Sequence, residues 1–460
     1  MTSRKPIGRR TGIALGILVL LALGVGIAAA PALQAGAGTA AHNLCSSTFV
    51  SGLPQQQTEE ELVGLLIGPA SHLLHYDVDR VAHAVHARLL FASATARYTE
   101  GYGCRLDFGE APLAASPAPQ PSESGRDAFA PAQAVQTDDA GLRDALGREF
   151  TDPPGQTPRH VKAIVIVKDG RVIAERYAPG FGVDTPAMSF SVAKSFTNAF
   201  LGILARQGKI TMEAPASVPE WRQAGDPRGK ITNDDLLRMD SGLDAREAGT
   251  GFDPASQMFY NRSDMGAYGA SRPAGKLARG EWDYTSVNTL LLDREMRDIV
   301  GGPAAFRQFA DDELLRPLGM RHVTLEFDGA GSFLGASHVY APPREFARFG
   351  LLYLNDGVAP DGRRILPPGW VDYSRKSTLG SSYGAGFWTN DGDGDFAARR
   401  VAQGFPKDGF FASGNLGQRI YIIPSARMVI VRIGYSRPPD FGIEADLALI
   451  KTAIAATAAH

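Results

Sequence analysis

The residues best placed for chemistry are Ser191 and Lys194, in the run Ser191-Val-Ala-Lys194. Three positions apart on a helix, their side chains share one face about one turn apart. A lysine amine beside a serine hydroxyl can take its proton once burial or a neighbouring charge lowers the lysine pKa. A serine at a helix start also has a backbone N–H free to donate to a developing oxyanion. Met188 and Phe190 precede the pair, and Phe196, Phe200, Ile203 and Leu204 follow at helical spacing, a poor setting for a solvated lysine. A second group is Tyr284-Thr-Ser286-Val-Asn288, where a phenol, a hydroxyl and an amide could shuttle a proton and hold a substrate. The third is Ser413-Gly414-Asn415-Leu416-Gly417-Gln418, whose glycines let backbone approach a ligand closely just before a strand.

Other motifs carry less. Gly380-Ser381-Ser382-Tyr383-Gly384 has the spacing of a nucleophile elbow but lacks the strand before it and the helix after it. Asp391, Asp393 and Asp395 alternate as in a calcium loop, yet Phe396 and Ala402 stand where the loop glycine and the final acid belong. His72, His75, His83 and His86 make two His-x-x-His pairs with no carboxylate or cysteine at a familiar spacing, so they are expected on the surface or in packing. Neither a metal nor a cofactor is called for.

The three chemical groups, in this order, resemble the serine β-lactamase and penicillin-binding protein superfamily. The resemblance is to its class C-like branch, which contains 6-aminohexanoate-oligomer hydrolases and related esterases. That family pairs Ser-x-x-Lys with Tyr-x-Asn or Tyr-x-Ser and with a Lys- or His-x-Gly triplet on an edge strand. The matching positions are Ser191 and Lys194, Tyr284 and Ser286, and Asn415 to Gly417. The resemblance covers about residues 150 to 455. It implies a serine hydrolase acting on small amides or esters through an acyl-enzyme on Ser191. Lys194 and Tyr284 would handle the proton, with Tyr284 the base if the nearby ammonium lowers its pKa. The backbone N–H groups of Ser191 and Gln418 would form the oxyanion hole, and Ser286, Asn288, Asn415 and Gly417 would bind substrate. Two departures bear on substrate: Asn415 stands where a lysine or histidine is usual, and Ser286 replaces an asparagine typical of class C β-lactamases. The alternative function is a catalytically inactive envelope module that binds or senses with the same fold.

Stepping outward, the pattern names the elements that must position these groups. Two β-rich runs around Asp169-Gly170, from Val161 to Tyr177, predict a hairpin. A helix is expected from Val192 to Gly208, then helices and loops through about residue 350. Strands around Arg419 and Met428 flank a turn at Pro424-Ser-Ala-Arg427, and a closing helix runs from Phe441 to Ala459. The sheet is thus built from both ends of an α/β (α+β), β-lactamase-like domain spanning 138–460.

Ahead of that domain lie an Ala/Pro/Ser-rich linker (111–137), an extension (41–110) and an apolar start (1–40). Thr58 and Glu61 read as a capping box opening a short helix in the extension, and Val81 to Ala92 fits either strand or helix. Arg4, Lys5, Arg9 and Arg10 precede an uncharged run from Ile13 to Ala30, which predicts a signal peptide or a single membrane span. We expect an uncleaved anchor that places the enzyme on the periplasmic face of the inner membrane. Cleavage near Ala28 to Ala32 would leave it periplasmic or secreted. In an oxidising compartment the two cysteines, Cys45 and Cys104, are expected to pair. A net charge of −2 argues against a nucleic-acid partner, and 44% hydrophobic residues exclude a disordered chain.

Overall fold

The computed structural model describes residues 9–111, 113, 129–152, 155, 157–275, 280–439 and 441–458, with side chains for all of these except 9–23 and 25. Most of the Ala/Pro/Ser-rich linker therefore lies outside the described residues.

The described residues open with one long helix, α1 (Arg9–Phe49). It passes without interruption through the predicted boundary at residue 40. Ala37, Ala40, Ala41, Leu44 and Cys45 are fully buried, sharing a core with Val85, Ala87, Ala96 and Leu106. The small residues are what allow this. A methyl group on Gly36 would lie 2.8 Å from Leu89 Cδ2, and one on Gly38 would lie 2.9 Å from Tyr260 Cβ. The surface beneath is an antiparallel sheet of β1 (Leu74–Asp79), β2 (Ala84–Leu89), β3 (Ala92–Thr99) and β4 (Gly103–Leu106), in that order. Val81 to Ala92 thus resolves as strand β2 between two turns, with Ala92 opening β3. The Cys45–Cys104 disulfide ties α1 to β4, as the sequence predicts. Among the described residues no helix is long and apolar enough to cross a membrane, so the expected span over Ile13 to Ala30 has no support there. The side chains of most of that run lie outside the described residues.

The capping box expected at Thr58 is not formed. The helical segment starts earlier, at Gln55, and Thr58 lies inside it with its hydroxyl donating to the Pro54 carbonyl. The four extension histidines are all exposed.

The second body contains α2 (Ala140–Glu149), capped by Asp139, whose carboxylate accepts from Leu142 N. The predicted hairpin follows as β5 (Val161–Lys168) and β6 (Arg171–Tyr177), turning through Asp169 and Gly170 at φ 50° and 79°. Next come β7 (Ala187–Met188), α3 (Ala193–Arg206), α4 (Pro254–Asn261) and α5 (Ser286–Val300). Short strands β8 (Thr324–Leu325) and β9 (Val339–Ala341) pair with β7 in the order β7-β9-β8. After α6 (Pro343–Leu354) come β10 (Trp388–Thr389), β11 (Phe410–Gly414), β12 (Gln418–Ile423), β13 (Met428–Gly434) and α7 (Ile443–Ala458).

Six strands form one antiparallel sheet in the order β10-β11-β12-β13-β5-β6, so the two ends of the domain meet at β13 and β5. Alternation divides its faces. Val165, Val167, Val429 and Val431 point into the main core with Phe196 and Phe349. Ile164, Ile166, Ile430 and Tyr421 point to the other side, where α2 and α7 supply Leu142, Leu146, Leu447 and Ile450. Helix α3 is buried along almost its whole length, so both ends of its first turn are fixed by surrounding structure.

Candidate active site

The turn Phe190–Val192 leads into α3 and carries Ser191 at its middle. Phe190 adopts φ 45°, a left-handed conformation costly for a bulky residue and sustained here by its burial. Ser189 anchors the turn from below: its N–H donates to the Val339 carbonyl of β9, and its hydroxyl bonds the Ser337 carbonyl. From the other side comes the end of β11. A Cβ on Gly414 would meet Ser189 O at 2.3 Å and Phe190 Cβ at 3.0 Å, so only glycine lets this strand reach the serine turn.

Lys194 is 2% exposed, and its three ammonium protons have three acceptors. Nζ donates to Ser191 Oγ at 3.0 Å, to Ser286 Oγ at 2.9 Å and to the Ala336 carbonyl at 3.0 Å. It also lies 4.8 Å from the centroid of the Tyr284 ring, a cation–π contact. Burial lowers its pKa to about 8, against a smaller upward pull from the carboxylates of Glu247 and Asp293. Tyr284 shares a hydrogen bond with Ser191, but its phenol is pushed upward, by burial first and by Glu247 second. The condition under which Tyr284 would act as base is therefore not met. Of the two groups, Lys194 is the one whose proton affinity is reduced.

The remaining predicted residues fall in different places. Ser286 opens α5, is 1% exposed and is engaged by Lys194, so it positions the amine and does not face open solvent. Asn288 is fully buried, with its Oδ1 taken by the Ser241 hydroxyl at 2.9 Å, which makes it a packing residue and corrects its assignment to substrate. The triplet expected on an edge strand, Asn415–Gly417, forms a tight turn after β11. Asn415 is exposed, and its Oδ1 accepts from Leu416 N. Gly417 is buried, with its carbonyl held by the Arg432 guanidinium at 2.8 Å, so it is structural. Gln418 starts β12, opposite Gly414, and its buried side chain exchanges hydrogen bonds with the Gly434 backbone. Gly414 and Leu416 of this hairpin touch the serine turn. The Gly380–Gly384 motif sits in a turn, yet its Tyr383 packs edge-on against Tyr284 at 5.6 Å between centroids.

Two acids unnoticed in the sequence complete the site. Glu247 accepts from Ser286 N at 2.7 Å, so a carboxylate caps α5 beside the lysine. Asp293, also on α5, accepts from Thr197 Oγ1 of α3 at 2.8 Å and from Gly335 N at 2.9 Å. It thereby places the Ala336 carbonyl against Lys194. Trp282, Tyr383 and Trp388 surround Tyr284 with ring centroids 5.6–6.4 Å away, an aromatic wall beside the hydroxyls.

A sequence family described as beta-lactamase matches residues 148–453, two-thirds of the chain. The chain belongs to the beta-lactamase family. Within that family it is 26% identical over 350 residues to the 6-aminohexanoate-dimer hydrolase of Paenarthrobacter ureafaciens, covering 70% of this chain and 83% of that protein. Among solved structures, a Bacillus anthracis protein named for the same dimer hydrolase aligns with a TM-score of 0.54 at 21% identity, over 65% of this chain and 80% of its own. A penicillin-binding protein homolog from Caulobacter crescentus gives 0.53 at 18%, over 70% and 98%. These likenesses establish the fold. For this beta-lactamase family member, the serine superfamily expected from the sequence is shown, and its names point to hydrolase chemistry.

Proposed function

We propose that this protein is a serine hydrolase that cleaves amide or ester bonds of small molecules through an acyl-enzyme on Ser191. The observation that carries the reading is the Lys194 amine, fully buried, 3.0 Å from Ser191 Oγ and lowered to about 8. At pH 7 a far larger share of chains then holds a free amine than an ordinary lysine would give. Lys194 in that form takes the Ser191 proton as Oγ attacks the carbonyl. Tyr284, whose phenol is held protonated, hydrogen-bonds the serine and can relay the proton taken up by Lys194 to the leaving group, accepting it as it gives its own, so that it ends the step protonated and Lys194 ends it as the free amine. The N–H of Ser191 and backbone of the Gly414–Gln418 hairpin stand as oxyanion donors, an interaction worth about 3 kcal/mol per donor. Ser286 and Glu247 hold the lysine in register.

The aromatic wall of Trp282, Tyr284, Tyr383 and Trp388 suits an acyl chain with apolar length. Oligomers of 6-aminohexanoate or comparable linear amides and esters fit that lining and the name of the curated relative. We further propose an exported location, in line with the basic, apolar start of the sequence and the Cys45–Cys104 disulfide.

A serine-directed fluorophosphonate with intact-mass detection tests the assignment. One adduct on the wild type and none on Ser191→Ala is expected. An unmodified wild type would favour the inactive binding module, and an adduct that persists in Ser191→Ala would place the nucleophile elsewhere.

A further inference from the structure

Away from the serine, at the seam between α1 and the β8–β9 segment, three ligand-type side chains converge. His42 comes from α1, Glu326 directly follows β8, and His338 directly precedes β9. All three are buried, at 4%, 0% and 1% exposure, and one donor atom from each lies within 4.8 Å of the others. Their bonding is incomplete. Among the described residues neither ring nitrogen of His338 has a hydrogen-bond partner, and Glu326 Oε2 lacks one as well. The other Glu326 oxygen is fully engaged, by Ser46 Oγ at 2.7 Å and Cys104 N at 2.8 Å, which fixes the carboxylate plane. Oε2 is thereby left 2.9 Å from His42 Nε2, while that nitrogen is in hydrogen-bond alignment with the Cys104 carbonyl at 3.0 Å. The His42 and His338 rings lie 4.4 Å apart.

We propose that His42, Glu326 and His338 form a buried binding site for a divalent transition-metal ion, with zinc the favoured occupant. Two imidazoles and one carboxylate are a donor set that zinc takes readily. Donors about 2.0–2.1 Å from a tetrahedral ion stand roughly 3.4 Å apart, so shifts of about an ångström or less bring the three into place. His42 Nε2 meets the ion with a lone pair, so the proton it turns toward the Cys104 carbonyl moves to Nδ1 or leaves to solvent, and Glu326 Oε2 takes the ion directly. The ion gives His338 the partner that no described residue supplies. The Ser46 and Cys104 bonds to Glu326 are the outer contacts that orient a ligand carboxylate.

Such an ion would be a clamp. It joins the disulfide-linked extension to the segment whose Ala336 carbonyl holds Lys194 and whose Val339 carbonyl holds Ser189. The inference stands independently of the hydrolase assignment.

The test uses the full-length protein, incubated with zinc or cobalt(II) and dialysed, with metal content and the visible cobalt spectrum as readouts. About one equivalent per chain and a chelator-sensitive melting temperature are expected in the wild type and in Ser191→Ala. Both should be lost in Glu326→Gln and His338→Asn. A wild type that retains less than about a tenth of an equivalent of either metal overturns the proposal, whatever the variants do. So does full metal content in both folded variants, which would leave a buried His–Glu ion pair as the whole content of the cluster.

Discussion

Replacing Glu247 by glutamine tests the electrostatic design of the site without touching Ser191, the proposed nucleophile. The carboxylate accepts from Ser286 N at 2.7 Å, and Ser286 Oγ accepts from Lys194 Nζ at 2.9 Å. That chain of contacts limits the separation of the two charges to about 8 Å, and near 7 Å an effective dielectric of 40–80 gives about 0.6–1.2 kcal/mol. At 1.36 kcal/mol per unit, the charge holds the Lys194 pKa up by about half to one unit. Glutamine keeps an acceptor for Ser286 N but removes the charge, so the amine should titrate lower than about 8. The assay is kcat/KM for a p-nitrophenyl ester, or the rate of fluorophosphonate labelling, followed from pH 5 to 10. In the wild type the acid limb should have its midpoint near 8, because activity requires the free amine. In Glu247→Gln the limb should move down by about half to one unit, raising the pH 7 rate roughly three- to fivefold. A limb that stays in place, or moves upward in a folded variant, would refute Lys194 as the group that sets the rate.

Other outcomes follow from the same geometry. Tyr284→Phe keeps the ring under the ammonium and should lower kcat by about 10²–10⁴, with little change in melting temperature. The Lys194 pKa falls on folding from 10.5 to about 8, so the unfolded chain binds more protons between those values and this group makes stability rise with pH there. Urea titrations should show that rise, of order 3 kcal/mol, in the wild type and not in Lys194→Met. Gly335→Ala would place a methyl 2.1 Å from Thr197 Oγ1 and 2.6 Å from the Asp293 carboxylate, and should cost about 1–3 kcal/mol in denaturation and reduce kcat through displacement of Ala336. Removing the Cys45–Cys104 bond with a double alanine variant opens a loop closed over 59 positions, and should cost about 4 kcal/mol in the same measurement.

What the sequence discloses depends on how locally each feature is encoded. Ser191 and Lys194 are three positions apart, so helical spacing alone brings them together. The Asp169-Gly170 hairpin is likewise local. Glu247, Asp293 and the Ala336 carbonyl share no pattern with them and meet the lysine only because α3, α5 and the residues before β9 cross. A buried acid five residues past Asn288 on an amphipathic helix carries no signal of its own. The hairpin after β11 shows a subtler failure: the glycine required by contact is Gly414, one residue before the turn that resembles the family triplet. At the chain start, alanine and glycine are apolar enough to suggest lipid, yet from Ala35 onward their small size serves close packing of α1 on protein. The histidine cluster was illegible for the same reason as the acids, since His42 and His338 are almost three hundred positions apart.

The burial of α1 also has a consequence in time. The Ser46 hydroxyl bonds Glu326, 280 positions further along. At a synthesis rate of about 5–20 residues per second, roughly 15–60 seconds separate the appearance of the two. During that interval the alanine-rich face of α1 can already pack on β2–β4 of the extension, but His42 and Ser46 still lack Glu326 and His338. The contacts of α1 are therefore completed in two stages, the first within the extension and the second only once the residues around Glu326 have been made.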